Sequence, residues 1–156
     1  MKSLDTHKSP TAATKTSPIY EDALRIRQAV FVDEQQVPPE IEIDEHEGQC
    51  VYFVLYNDDD RAVATARLLP NSAHSGSATL QRMAVVKEHR GKGYGREVIA
   101  RVEAFAAQNQ FAEIVLHAQL TAKGFYTQMG YSAFGDEFEE AGIKHISMKK
   151  KITHNS

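Results

Sequence analysis

The chain has 156 residues, 42% of them hydrophobic and 25% charged, enough for one globular domain with a real core and too short for two of ordinary size. Eighteen Lys and Arg against 21 Asp and Glu leave a net charge of −3, which disfavours attachment to nucleic acid through a general positive field. A single cysteine, Cys50, excludes an intrachain disulfide framework and a cysteine-based zinc site. Apolar runs stay as short as Val51 to Tyr56, so no membrane span is expected, and no apolar signal region precedes them, so the expected location is the cytoplasm.

Residues 1–18 are polar and of low complexity, and are expected to form a flexible N-terminal arm with at most a weak strand near its end. From Ile19 the pattern changes. Ala23, Ile26 and Val30 fall at i, i+3 and i+7 of a helix face, Glu21 and Asp22 suit its first turn, and Pro38-Pro39 bars its continuation. Val51 to Tyr56 and Ala62 to Leu69 form the arms of a hairpin turned at Asn57-Asp58-Asp59-Asp60. Pro70 to Ser77 is a loop, and Thr79 to Val86 is a third strand whose imperfect alternation suits burial on both faces. Val98, Val102 and Phe105 mark a long helix ending near Asn109. Ile114 to Leu116 is a short buried strand, and Thr121 to Met129 is a short helix stopped by Gly130. Tyr131 to Phe134 and Ile143 to Met148 close the chain as strands. The order predicts a mixed sheet covered by helices, in one domain over 19–151 with a tail at 152–156.

The sharpest local signal is Arg90-Gly91-Lys92-Gly93-Tyr94-Gly95, between a strand and an amphipathic helix. Its glycines permit positive φ, and the helix N-terminus behind them favours an anion. Arg90, Lys92 and Arg96 add full positive charges, so the segment is expected to cradle a pyrophosphate. It is not a Walker loop, which needs Gly-x-x-x-x-Gly-Lys-Ser/Thr, nor a dinucleotide fingerprint, because Arg96 or Val98 stands where the third glycine should be.

Arg90, Gly93 and Gly95 match the Arg/Gln-x-x-Gly-x-Gly/Ala motif of the GCN5-related N-acetyltransferase (GNAT) superfamily, which the chain resembles. Leu80-Gln81-Arg82-Met83-Ala84-Val85 is similar to that family's fourth strand, and Phe125-Tyr126-Thr127-Gln128-Met129-Gly130-Tyr131 to its late Phe-Tyr-x-x-x-Gly-Phe segment. Val30 to Pro38 and Gly142 to Met148 resemble the small bacterial proteins of the ElaA/YjcF type. The resemblance implies an α+β fold: a mixed, mostly antiparallel central sheet flanked by helices and splayed between strands 4 and 5. The family usually opens with an alternating first strand, which residues 1–18 scarcely supply.

The resemblance further implies an acetyl-CoA-dependent N-acetyltransferase, with the amine attacking directly in a ternary complex. Backbone groups from Met83 through Ala84 to Val85 would hold the pantetheine arm, one N–H polarising the thioester carbonyl. Arg90, Gly91, Lys92, Gly93, Tyr94, Gly95 and Arg96 would hold the pyrophosphate. Tyr126 matches the tyrosine that commonly protonates the leaving thiolate. For the general base the candidates are Glu34, Asp44, His117, His145 and, through water, Glu42, or a water chain with no dedicated residue. Residues 33–47 carry seven acids (Asp33, Glu34, Glu40, Glu42, Asp44, Glu45, Glu47) and no Lys or Arg. Most are expected on a solvated loop, with one or two facing the site and steering a cationic amine. Cys50 is expected as a small core residue, Lys149 to Lys151 as a solvated end, and the scattered histidines form no metal spacing. The expected partners are acetyl-CoA and an amine acceptor, with a homodimer through the closing strands as in the family, and neither nucleic acid nor membrane. The alternatives are a non-catalytic acyl-CoA-binding or sensing domain on the same fold and, from the glycine loop alone, a nucleotide-binding regulator.

Overall fold

The computed structural model describes residues 3–8, 18–42, 44, 46–71 and 76–152. Seven strands form one sheet in the order β1-β2-β3-β4-β5-β7-β6: β1 Ser3–Lys8, β2 Val51–Tyr56, β3 Ala62–Pro70, β4 Ser77–Val85, β5 Glu113–Gln119, β6 Ser132–Glu140 and β7 Ile143–Lys151. All neighbours are antiparallel except β4 and β5. The fold class expected from the resemblance is the one observed.

Two boundaries are corrected. Ser3–Lys8 pairs with β2 along its whole length as the edge strand, so these residues belong to the sheet and not to a flexible arm. Backbone pairing recruits such a polar stretch, and hydropathy does not register it. Residues 9–17 lie outside the described residues. At the other end, Ile152 is buried and its N–H donates to the Ala112 carbonyl at 2.8 Å, so it closes the domain and does not begin a tail. Residues 153–156 lie outside the described residues.

Helix α1 (Pro18–Arg27) lies on one face of the sheet, and α3 (Tyr94–Gln108) with α4 (Lys123–Gln128) on the other. Alternation along β2 serves both faces. Tyr52 and Val54 pack against Tyr20, Ala23 and Ile26 of α1, while Phe53 and Leu55 join Val98, Ile99 and Val102 of α3. Beyond Arg27 the chain widens into a π-helical turn, Gln28–Glu34, in which the Gln35 N–H reaches the Val30 carbonyl at 3.0 Å. A short helix α2, Pro39–Glu42, follows. Among the described residues no helix is long and apolar enough to cross a membrane.

Candidate active site

Strands β4 and β5 are paired only from Ser77 to Leu80 against Glu113 to Leu116. Past that point they part. A bulge turns β4 aside: its register against β3 shifts between Thr65 and Arg67, and Arg82 adopts a left-handed φ of 54°. The opening is a cavity of about 900 Å³, walled by Arg82 to Val85 on one side and Leu116 to Gln119 on the other. Its lining includes Val30, Phe31 and Val37 from the α1 side and Tyr94, Phe125 and Tyr126 from the α3–α4 side, so the cleft reaches both faces of the sheet.

The glycine turn stands at its mouth. Gly91 and Gly93 have φ of 80° and 83°, and Gly93 is the N-cap of α3 with no side-chain cap. No side chain caps the first turn of that helix, an arrangement suited to an anion. Gly95 serves a different need: a Cβ there would stand 2.9 Å from Met83 Cε and 3.3 Å from Phe125 Cζ, so its absence lets α3 start against β4 and α4. Gly91, Gly93, Tyr94, Gly95, Arg90 and Arg96 line the cavity, as do Met83, Ala84 and Val85; Lys92 is exposed and does not. Two of the cations are engaged. Arg96 donates to Gln128 Oε1 at 2.7 Å, and Arg90 is spent on Glu34 and the Val85 carbonyl.

These conformations separate strain from occlusion at Gly93. Its Cβ direction is open, with nothing within 4 Å, yet valine would be forced into a left-handed backbone at a cost of about 1–2 kcal/mol. Asparagine tolerates that backbone. Gly93→Asn is expected to retain the thermal midpoint and weaken acetyl-CoA binding in calorimetry, whereas Gly93→Val loses both. Unchanged affinity in the asparagine variant would remove the loop as the cradle.

The acidic segment is not a bare negative rim. Glu34 is held bidentately by Arg90 at 2.7 Å on both oxygens, and this hydrogen bonding lowers its carboxyl below the ordinary value. It is absent from the cavity wall. A carboxylate so paired is a poor base, and Glu34 ties the π turn to Arg90 of the glycine turn. Glu42, Asp44 and Glu47 face Arg27, Arg67 and Arg82 in a largely buried network. Arg27 bonds Glu42 at 2.8 Å and Glu47 at 2.7 Å; Arg67 bonds Glu47 at 2.8 Å and Asp44 at 2.7 Å; Arg82 bonds Glu42 at 2.8 Å. Three carboxylates meet three guanidiniums, so this network carries no net charge, and Glu42 and Asp44, which reach the cavity, are both committed to guanidiniums. Asp33 is exposed and accepts from Gln28; Glu45 and the side chain of Glu40 lie outside the described residues.

Tyr126 is 8% exposed and lines the cavity. Its carbonyl accepts the Tyr131 N–H while Gly130, at φ 98°, donates to Thr127, the helix stop expected from the sequence. The ring makes edge contacts with Phe125 and Tyr131. Its hydroxyl has no hydrogen-bond partner among the described residues, and burial pushes the phenol up to about 12.

His117 and His145 line the opposite part of the cavity together with Glu140, a residue that sequence reasoning missed. His117 Nδ1 stands 3.3 Å from Glu140 Oε1, and His145 Nε2 stands 4.0 Å from Glu140 Oε2. The His117 hydrogen bond outweighs burial, and the charges of the histidines and Arg82 add to it, so Glu140 lies below the ordinary carboxylate value. Register explains the grouping. His117 opposes Ser147, and His145 opposes both Gln119 and Phe138, so the period of two places His117, His145, Phe138 and Glu140 on one face. Cys50 is buried, its thiol raised to about 11 by burial, a core residue as expected. Lys150 is not a solvated end: it donates to Glu103 at 3.0 Å and to the Met129 carbonyl at 2.8 Å.

A parallel pair that opens after four residues, in a sheet otherwise antiparallel, places the chain in the acyltransferase class built on the GNAT fold. Residues 15–152 match the family described as Acetyltransferase (GNAT) domain, and the chain belongs to that family. It is 37% identical over 131 residues to the uncharacterised N-acetyltransferase YjcF of Bacillus subtilis, covering 83% of this chain and 91% of that one. Among solved structures it is similar to a crystal structure from Lactobacillus plantarum (TM-score 0.84, 30% identity, 97% and 99% of the two chains). Escherichia coli ElaA shares the fold (TM-score 0.80, 24% identity, 96% and 99% covered). So does BjaI, a CoA-dependent acyl-homoserine lactone synthase solved with SAM and isopentyl-CoA (TM-score 0.78, 16% identity, 98% and 84% covered).

Proposed function

We propose that this chain transfers an acetyl group from acetyl-CoA to a primary amine by direct attack in a ternary complex. The observation that carries this reading is the continuity of one cavity from the uncapped N-terminus of α3, past the parted strand β4, to the unpartnered hydroxyl of Tyr126. Family membership and the binding of an acyl-CoA by the fold neighbour BjaI support it.

In this reading the turn from Gly91 to Arg96 receives the pyrophosphate, and a backbone N–H of Met83 to Val85 stabilises the developing oxyanion. The amine nitrogen bonds to the carbonyl carbon and the carbon–sulfur bond breaks. An ammonium that ends as an amide nitrogen sheds two protons; one replaces the proton that Tyr126 gives to the thiolate, and the other leaves to solvent. A phenol near 12 is neutral throughout the physiological range and so holds the proton until a thiolate forms beside it.

An acetyl-transfer screen over polyamines, amino sugars, aminoglycosides and peptides with free N-termini, read by release of CoA thiol, is expected to find turnover. Tight acetyl-CoA binding without thiol release would favour a non-catalytic acyl-CoA sensor, and preference for ATP in calorimetry would favour a nucleotide regulator.

A further inference from the structure

The ionisable groups of the cavity wall sort by partner. Glu42 and Asp44 are neutralised by guanidiniums, and Arg90 by Glu34. Glu140 differs: among the described residues its ion-pair contacts are with two imidazoles only. An ionised carboxylate only accepts hydrogen bonds, so the contact at 3.3 Å makes His117 Nδ1 the protonated nitrogen. The lone pair of a neutral His117 is then on Nε2. His145 Nδ1 lies 2.7 Å from the Ile143 carbonyl, another pure acceptor, so Nδ1 carries that proton too. With Nδ1 so committed, the neutral form of His145 has its lone pair on Nε2, 4.0 Å from Glu140 Oε2. Two acceptors facing one another across such a gap are suited to a donor with positive charge placed between them.

We infer that Glu140, His145 and His117 form the amine end of the site: Glu140 Oε2 and His145 Nε2 receive a cationic primary ammonium, and His117 Nε2 removes its proton. Glu140 is thereby a positioning residue for His117, fixing its tautomer through Nδ1, as well as a ligand of the ammonium. The inference rests on the acyl-transfer reading and supplies its missing base. It also names the acceptor class, an amine that arrives charged. The proton taken by His117 is the one that leaves to solvent, which completes the balance given above.

The test has two arms. Glu140 is 48% exposed in its side chain, so substitution there leaves the fold standing. In ¹⁵N spectra of the imidazoles, neutral His117 is expected as the Nδ1–H tautomer in the wild-type chain and mainly as Nε2–H in Glu140→Ala. An unchanged tautomer overturns the inference. In the second arm spermidine, glucosamine and a tripeptide with a free N-terminus are the acceptor probes. Glu140→Gln is expected to lower kcat/KM for the amine by about 10- to 100-fold and His117→Gln by about 100-fold, with the KM for acetyl-CoA unmoved. Adding Glu140→Gln to His117→Gln is expected to raise the KM for the amine, through the lost ammonium ligand, but to lower kcat no further, because Glu140 acts on proton removal only through His117. Losses in kcat that multiply in the double variant, or unchanged turnover in Glu140→Gln, overturn it. If no probe releases CoA from the wild-type chain, the transfer reading falls and the base role falls with it. The imidazole spectra then separate that failure from a misplaced Glu140.

Discussion

Tyr126→Phe is expected to lower turnover of acetyl-CoA by about 100-fold or more while leaving its affinity unchanged. The hydroxyl removed is the one polar atom of a side chain otherwise packed between Phe125 and Tyr131. Because it makes no hydrogen bond among the described residues and belongs to a side chain that lines the cavity, its loss breaks no internal network. The variant should melt at the same temperature as the wild-type chain. That pairing of lost rate with retained stability separates a chemical role from a packing one. Unchanged turnover with unchanged binding would eliminate Tyr126 as the acid.

Glu47→Ala is expected to cost about 3–5 kcal/mol, the usual effect of stripping one partner from a buried ion pair. Glu47 is 1% exposed and accepts hydrogen bonds from Arg27, Arg67, Tyr20 and Tyr52. Without it two buried guanidiniums face one another across the site. Burial alone would raise this carboxyl, but hydrogen bonds and charge from Arg27, with the charge of Arg67, reverse that and hold it at about 2. A folded-state value below the ordinary 4.5 means stability that is fully present above pH 4.5 and lost as pH falls toward 2. The contribution is on the order of 3 kcal/mol. Asp44, also lowered once its hydrogen bonds from Arg67 overcome burial, acts in the same direction. Urea midpoints at a series of pH values would show the decline, and the alanine variant should show much less of it. Parallel slopes in the two proteins would place the acid sensitivity elsewhere.

The positions of α1, α3, α4 and six strands were legible in the sequence because each has a hydrophobic period or a punctuating residue; α2, begun at a proline read only as a helix stop, was not. Ala23, Ile26 and Val30 are buried as their spacing implies, and Gly130 ends α4. Strand β1 was not legible, since Ser3–Lys8 is held through backbone pairing at an edge. The closing strands extend to Glu140 and Lys151, well past their apolar cores, because β6 is mostly exposed and polar. That extension is what brings Glu140 to the cavity. The glycine turn at the cavity mouth was readable from local glycine spacing. The amine end was not, because His117, Glu140 and His145 meet through the register of three strands, and register is set by pairings that no single segment contains. Nor could the sequence reveal that Arg27, Arg67 and Arg82, lying outside the acidic segment, return in space to neutralise three of its seven acids.

The parting of β4 from β5 bears on cooperativity as well as on chemistry. Backbone hydrogen bonding divides the sheet into a four-stranded and a three-stranded part, stitched by four residue pairs between Ser77–Leu80 and Glu113–Leu116. The halves are otherwise united by side chains: α3 packs on β2, β3 and β4 and α4 on β5, within one apolar core that spans the seam. With backbone pairing so brief, that shared apolar core holds the width of the gap, so the packing that stabilises the domain also sets the dimensions of the site.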